Sequence, residues 1–243
     1  RSKAAKALGV PDLKAYFEVR PLIEKHGIIV FSSNYALYGD ISQRGMATLS
    51  EYAQEVEVYS IDEIFLQPAN ISISLQEYGQ RLKTAVLAAT RINVGVGIAA
   101  TKTLAKLANR AAKDIPKLLG VCVLERDEQR QWLLKRAPTH KIWGVGSKLS
   151  QRLAQLEIVT GWDLACAPAK LIRKHFGVTL ERTHAELNGE PCLQLEEVAP
   201  PKKQIFCTRS LGQKTYDLEV LLQAVALYCN RASEKLRKQN YTT

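Results

Sequence analysis

The chain has 243 residues, 46% hydrophobic and 24% charged, and its Lys+Arg outnumber Asp+Glu by 34 to 24, for a formal net charge of +10. That length and apolar content suit globular folding into one or two domains with a substantial core, and the basic balance points to a polyanionic partner such as nucleic acid. No run of about 18 apolar residues and no signal-peptide pattern is present, so neither a helical membrane span nor export is expected.

In chain order, residues 1–50 read as mostly helical with short connections. Lys3-Ala4-Ala5-Lys6-Ala7-Leu8 has helical character, with Lys3 and Lys6 on one face, and Gly9 stops it. Phe31 to Tyr38 leads into a helix expected near residues 40–53. Val56-Glu57-Val58-Tyr59-Ser60 then alternates as a half-buried strand does, turning near Asp62-Glu63 before the return Ile64-Phe65-Leu66. Adjacent strand residues point to opposite faces, but at a tight turn two carboxylates can reach one ion pair. Hard oxygen ligands suit Mg²⁺, the ion that phosphoryl transfer uses on its attacking and leaving oxygens. Taken alone, such a string more often marks a charged hairpin tip.

A helix is expected over about 74–90. Asn93-Val94-Gly95-Val96-Gly97-Ile98 alternates small and β-branched residues, which predicts a strand closely approached by other backbone. From Thr101 to Ala112 the spacing predicts a strongly amphipathic helix. Lys102, Lys106, Arg110, Lys113 and Lys117 make one basic face, while Leu104, Leu107, Ala108 and Ala111 make the core stripe. A solvated basic face is the plain alternative to a binding surface. Pro116 ends the helix and Gly120 to Leu124 reads as another strand.

Beyond Pro138 the pattern turns all-helical. Ile142-Trp143-Gly144-Val145-Gly146-Ser147-Lys148, followed by an amphipathic helix over 149–156, has the form of a helix-hairpin-helix. Its glycines let backbone N–H groups approach a phosphate at a helix N-terminus, and Lys148 adds charge. A plain interhelix turn is the alternative. A helical pair is expected over about 162–188, a linker at Pro200-Pro201-Lys202-Lys203, a strand over 204–215 and a helix over 218–239. Trp143 and Trp162 read as core anchors. Cys122, Cys166, Cys192, Cys207 and Cys229 are odd in number and scattered, as reduced thiols are, and His26, His140, His175 and His184 have no metal-site spacing. Both ends fall within helical patterns and Arg1 is not preceded by Met, so the chain reads as a fragment.

The order of these strings resembles the Y-family translesion DNA polymerases, and within them the branch of the catalytic subunit of bacterial DNA polymerase V and its plasmid-borne relatives. The carrying strings are Ala5-Lys6-Ala7-Leu8-Gly9-Val10, Phe31-Ser32-Ser33-Asn34-Tyr35, Tyr59-Ser60-Ile61-Asp62-Glu63, Gly95-Val96-Gly97-Ile98-Ala99, Thr101-Lys102-Thr103-Leu104-Ala105-Lys106-Leu107-Ala108 and Ile142-Trp143-Gly144-Val145-Gly146. Ile172 to Val178 and Leu180 to Thr183 continue the likeness, which covers essentially the whole chain.

The resemblance implies an α+β, right-hand polymerase fold. Residues 1–50 would be fingers, 51–125 palm, 126–200 an all-helical thumb with a helix-hairpin-helix, and 201–243 the start of a little-finger domain. It implies two Mg²⁺ ions on Asp62 and Glu63, and triphosphate contacts from Lys6 and Lys113. Gly144, Gly146 and Lys148 would bind DNA, with Lys102 and Lys106 on the basic face near DNA. Many relatives carry Arg at the Lys6 position, and Lys lacks its bidentate fork. The family's first palm strand, with a further metal-binding Asp and the ribose gate, has no counterpart here, so the chain alone is expected not to extend primers. Implied partners are primer–template DNA, a dNTP, a processed UmuD-type dimer and RecA, in the bacterial cytoplasm at the nucleoid and in the SOS response. The alternative is a non-catalytic DNA-binding remnant of such an enzyme.

Overall fold

The computed structural model describes residues 1–68, 71–196, 204–208, 211 and 214–239. The chain divides into two compact units, Arg1–Leu193 and Gln194–Thr243.

The first unit opens with α1 (Lys3–Ala7), α2 (Tyr16–Lys25) and α3 (Tyr35–Ser50). Asn34 starts α3 by accepting a hydrogen bond from the Leu37 amide at 3.1 Å, so the helix begins five residues earlier than the apolar spacing predicts. β1 (Ala53–Ser60) and β2 (Glu63–Pro68) form an antiparallel hairpin closed by Ile61 and Asp62. α4 (Leu75–Thr90) follows, capped by Ser74. β3 (Val96–Ala99), α5 (Lys102–Asp114) and β4 (Val121–Leu124) then make a parallel βαβ unit. The hairpin and the parallel pair are separate two-stranded sheets.

Gly97 shows why β3 alternates small residues. A Cβ there would lie 2.2 Å from both the Ala105 carbonyl oxygen and the Asn109 amide nitrogen, so α5 rests directly on strand backbone. α5 ends at Asp114, with Ile115 extended before Pro116, as a residue ahead of proline tends to be.

α6 (Asp127–Arg136), α7 (Ser147–Ala154), α8 (Gly161–Cys166), α9 (Ala169–Phe176) and α10 (Val178–Leu187) complete the unit. The expected helical pair over 162–188 is therefore three helices. Pro168 starts α9 without an amide hydrogen to donate, and Gly177, at φ +83°, turns the chain into α10. One apolar core runs from α5 and β4 through all five of these helices, with Leu134, Leu153, Leu164, Ile172 and Leu187 wholly inaccessible.

Glu186, also fully buried, joins α10 to α5. Its carboxylate accepts from the Thr103 amide at 2.9 Å and from the Thr103 hydroxyl, and from the amides of Cys192 and Leu193 at 3.2 and 3.0 Å. Its backbone carbonyl accepts from the Thr101 hydroxyl at 2.9 Å. The acid sits at the positive end of the α5 dipole, where burial of a carboxylate costs least.

In the second unit, α11 (Leu218–Lys238) is capped by Asp217, and Lys235 donates to the Phe206 carbonyl at 3.0 Å. The described residues of 204–215 are irregular, against the strand expected there, because a strand persists only with a hydrogen-bonded neighbour. The linker expected at 200–203 lies outside the described residues.

Candidate catalytic cleft

Strand register places Glu57 opposite Phe65 and Val58 opposite Ile64. With a period of two, Glu57, Tyr59, Glu63 and Phe65 share one face of the hairpin and Val56, Val58, Ile64 and Leu66 share the other. Glu57 is buried while Val58 is 55% exposed. The reason is α5, whose basic face meets the acidic and aromatic face of the hairpin.

Lys102 pairs with Glu57, the two side chains only 10% and 11% exposed. Lys106 donates to Glu63 Oε2 at 2.6 Å. Its ammonium also stands 4.3 Å from the centre of the Tyr59 ring, 5.0 Å from that of Trp143 and 6.0 Å from that of Phe65. A cation over aromatic faces is stabilised by the ring quadrupoles, more strongly when partly desolvated. Tyr59 meets Trp143 edge to face at 5.3 Å, and the indole N–H of Trp143 donates to the Tyr59 hydroxyl at 3.2 Å.

Lys102 and Lys106, expected on the basic face, are paired with hairpin carboxylates, because α5 docks against the hairpin on that side. Trp143 is half-buried and sits against the hairpin rings. Its neighbours Ile142 and Val145 take the core positions, at 3% and 4% exposure.

Further along α5, the basic face opens onto a cleft of about 390 Å³. Glu63, Lys106, Arg110, Lys113, His140, Lys141, Trp143 and Gly144 all line it. Asp114 lies between Arg110 and Lys141, at 3.8 and 3.4 Å. The cleft thus unites an expected metal ligand, an expected triphosphate ligand and the first glycine of the expected DNA-binding turn. Lys6, on α1 and exposed, is not among its lining residues.

Asp62 occupies the hairpin turn, exposed, and accepts from the Ser60 hydroxyl at 2.7 Å. Asp62 and Glu63 are adjacent but have different partners. Their hard oxygens suit Mg²⁺, which takes one or two carboxylates and completes its octahedron with water or phosphate oxygen. No cluster of three or more His, Cys, Asp or Glu is gathered among the described residues. The two carboxylates fit the ion on those terms, provided Glu63 gives up Lys106.

The glycine turn presents open backbone. Gly144 has φ +82°, Gly146 caps α7, and a Cβ at either would meet nothing within 4 Å. With exposed Lys148 at the start of α7, the turn has the form of an anion-binding helix N-terminus.

Sequence reasoning did not single out Glu57 and Phe65 as partners of the basic helix, nor His140 as a lining residue. The signal for the first two was the period-two pattern itself, which sets acids and aromatics on the face opposite the valines. Cysteine nucleophilic chemistry has no support at Cys122, where burial pushes the thiol up. Among the described residues, no helix is long and apolar enough to cross a membrane.

The impB/mucB/samB family model matches residues 1–110, and the model of that family's C-terminal domain matches residues 202–243. Protein UmuC of Salmonella typhimurium is 46% identical over 98% of this chain and 57% of its own length. Protein MucB of Escherichia coli is also 46% identical, over the same shares. The chain therefore spans somewhat over half the length of these curated relatives. Among solved structures, the Y-family DNA polymerase chimera Dbh-Dpo4-Dbh superposes with a TM-score of 0.73 at 26% identity, covering 95% of this chain and 66% of that one.

Proposed function

Because this chain belongs to the impB/mucB/samB family and shares the fold of Y-family polymerases, we propose that it is the catalytic portion of an error-prone translesion DNA polymerase. The substrates are a dNTP and primer–template DNA carrying damage. The primer 3′-hydroxyl attacks the α-phosphate in line, and pyrophosphate leaves. The observation that carries this reading is the cleft that Glu63, Lys113 and Gly144 all line.

In this reading residues 1–50 act as fingers, 51–125 as palm, 126–200 as thumb and 201–243 as the start of a little finger. Asp62 and Glu63 hold two Mg²⁺ ions. Bound there, the ions would neutralise the attacking and leaving oxygens. Lys113, with Arg110 beside it, offers positive charge to the triphosphate, and Lys6 adds a further contact from the fingers. Gly144, Gly146 and Lys148 grip backbone phosphates through open amides and one ammonium. Catalysis is then mostly positioning and charge neutralisation. The enzyme works on chromosomal DNA in the bacterial cytoplasm, with a processed UmuD-type dimer and RecA as partners in the SOS response.

The test is Asp62→Ala in the full-length protein. Primer extension should be lost while DNA affinity and melting temperature stay near wild type, since Asp62 is exposed and its side chain accepts from the hydroxyl of the neighbouring Ser60. Ordinary extension by the variant would overturn the two-metal reading and leave the DNA-binding remnant.

A further inference from the structure

Lys106 has more partners than a simple surface lysine needs. It reaches from α5 to Glu63 on the hairpin at 2.6 Å, and three aromatic rings surround its ammonium. Two rings belong to the hairpin and one, Trp143, to the glycine turn. Trp143 is fastened to the hairpin by its own hydrogen bond to Tyr59. One ammonium therefore sits where the acid hairpin, the basic helix and the phosphate-gripping turn converge.

We propose that Lys106 is a resident counter-ion of Glu63, held in an aromatic cage, which a divalent cation displaces, and that Trp143 registers the exchange at the glycine turn. The inference rests on the metal-binding reading of Asp62 and Glu63. A carboxylate facing an ammonium in a partly desolvated site is neutralised before any metal arrives, so the hairpin tip is not left with two unbalanced negative charges. A divalent ion competes for the same oxygens with twice the charge. The displaced ammonium, anchored on α5 one turn before Arg110, swings along the cleft wall and adds to the positive charge of Arg110 and Lys113. Loading of the metal thereby raises the cleft's attraction for an anionic ligand. As the cation leaves the face of Trp143, the indole environment changes.

The roles of Lys106 as brace and as competitor predict opposite signs. A lysine that merely braces Glu63 would, when removed, weaken metal binding. A resident competitor would, when removed, strengthen it.

The experiment uses full-length protein labelled with 5-fluorotryptophan, with the Trp143 resonance assigned by its loss in Trp143→Phe, and Mg²⁺ as the probe. Mg²⁺ alone should shift the Trp143 fluorine resonance in the wild type. In Lys106→Met the resonance should start near the shifted position and no longer respond, while Lys106→Arg should restore the response. The Mg²⁺ concentration for half-maximal primer extension should fall several-fold in Lys106→Met. A Trp143 resonance indifferent to Mg²⁺, or a half-saturation unchanged or raised in Lys106→Met, would overturn the proposal. Failure of the wild type to extend primers would instead sink the polymerase reading, and the fluorine titration would still decide the exchange on its own.

Discussion

The helical half of the first unit and the acid hairpin are built on opposite principles. Around α6 to α10 the contacts are dry: Leu134, Leu153, Leu164, Ile172 and Leu187 lose all contact with solvent, and the one buried acid, Glu186, is met by backbone amides and a hydroxyl. The hairpin has a single buried residue, Glu57, and is held to α5 by ion pairs and ring contacts. Apolar packing gains free energy from every atom removed from water and tolerates little rearrangement. The Lys106–Glu63 pair, 20% and 40% exposed, contributes little net stability and exchanges partners at small cost, whereas Lys102–Glu57 is nearly buried and is the fixed point of the contact. The difference teaches that tight apolar packing supports the glycine turn, while exchangeable charge contacts lie where the proposed cation and triphosphate would be received.

The largest expected effect lies in the dry half. Leu134→Ala should destabilise the protein by about 2–5 kcal/mol, as buried leucine truncations do, whereas Val58→Ala on the hairpin should stay within about 0.5 kcal/mol. Chemical denaturation of the two variants gives the comparison directly, and equal losses would erase the distinction.

Next comes the buried acid. Glu186→Ala strips partners from the amides of Thr103, Cys192 and Leu193 and should cost on the order of 1–3 kcal/mol. Hydrogen exchange should show those amides losing protection while α9 keeps its own. Uniform loss across the unit would mean that Glu186 is no local latch.

Smaller in stability, but sharper for function, is the glycine turn. Gly144→Ala with Gly146→Ala should weaken DNA binding several-fold, and wild-type binding should fall steeply with salt as counterions are released. Gly144→Ala adds backbone strain at φ +82°, whereas Gly146 has ordinary φ, so Gly146→Ala alone isolates the effect on phosphate approach. A flat salt response or unchanged affinity would detach this turn from DNA.

The smallest effect is at the start of α8. Burial raises the Asp163 carboxyl, but Thr160, through amide and side chain, and the Val159 amide outweigh it and hold the group below its ordinary value of 3.8. A depressed folded value means stability that is present above the ordinary value and lost as pH falls through the depressed one. Thermal melts should therefore show Asp163→Asn less stable than wild type near neutrality, with the gap closing in acid. A gap that persists unchanged at low pH would assign the effect to packing.

How far these regions could be read from residue order differs for the same reasons. Local chemistry speaks through spacing: the amphipathic stripe of α5, the helix starting near Ser74, the glycine of β3 that a helix must touch, and the Ile142 to Gly146 turn; the Asn34 cap was as local but was passed over when α3 was expected near 40–53. Period and capping are properties of a few consecutive residues, so they survive without any partner. The α8–α9 and α9–α10 breaks were also legible, at Pro168 and Gly177, but reading 162–188 as one pair passed over one of them.

The described residues of the strand expected over 204–215 are irregular, because alternation describes a surface and says nothing of the neighbour that must pair with it. The sequence by itself determined which residues carry charge, which carry rings and where the acids stand on the hairpin. Only the tertiary structure decided that Lys102 and Lys106 turn inward onto Glu57 and Glu63, that Trp143 leaves the core for Tyr59, and that Glu186 closes on the amino end of α5. Those pairings join residues 43 to 84 positions apart. Sequence spacing cannot express them, because each depends on how two separately formed elements come to rest against each other.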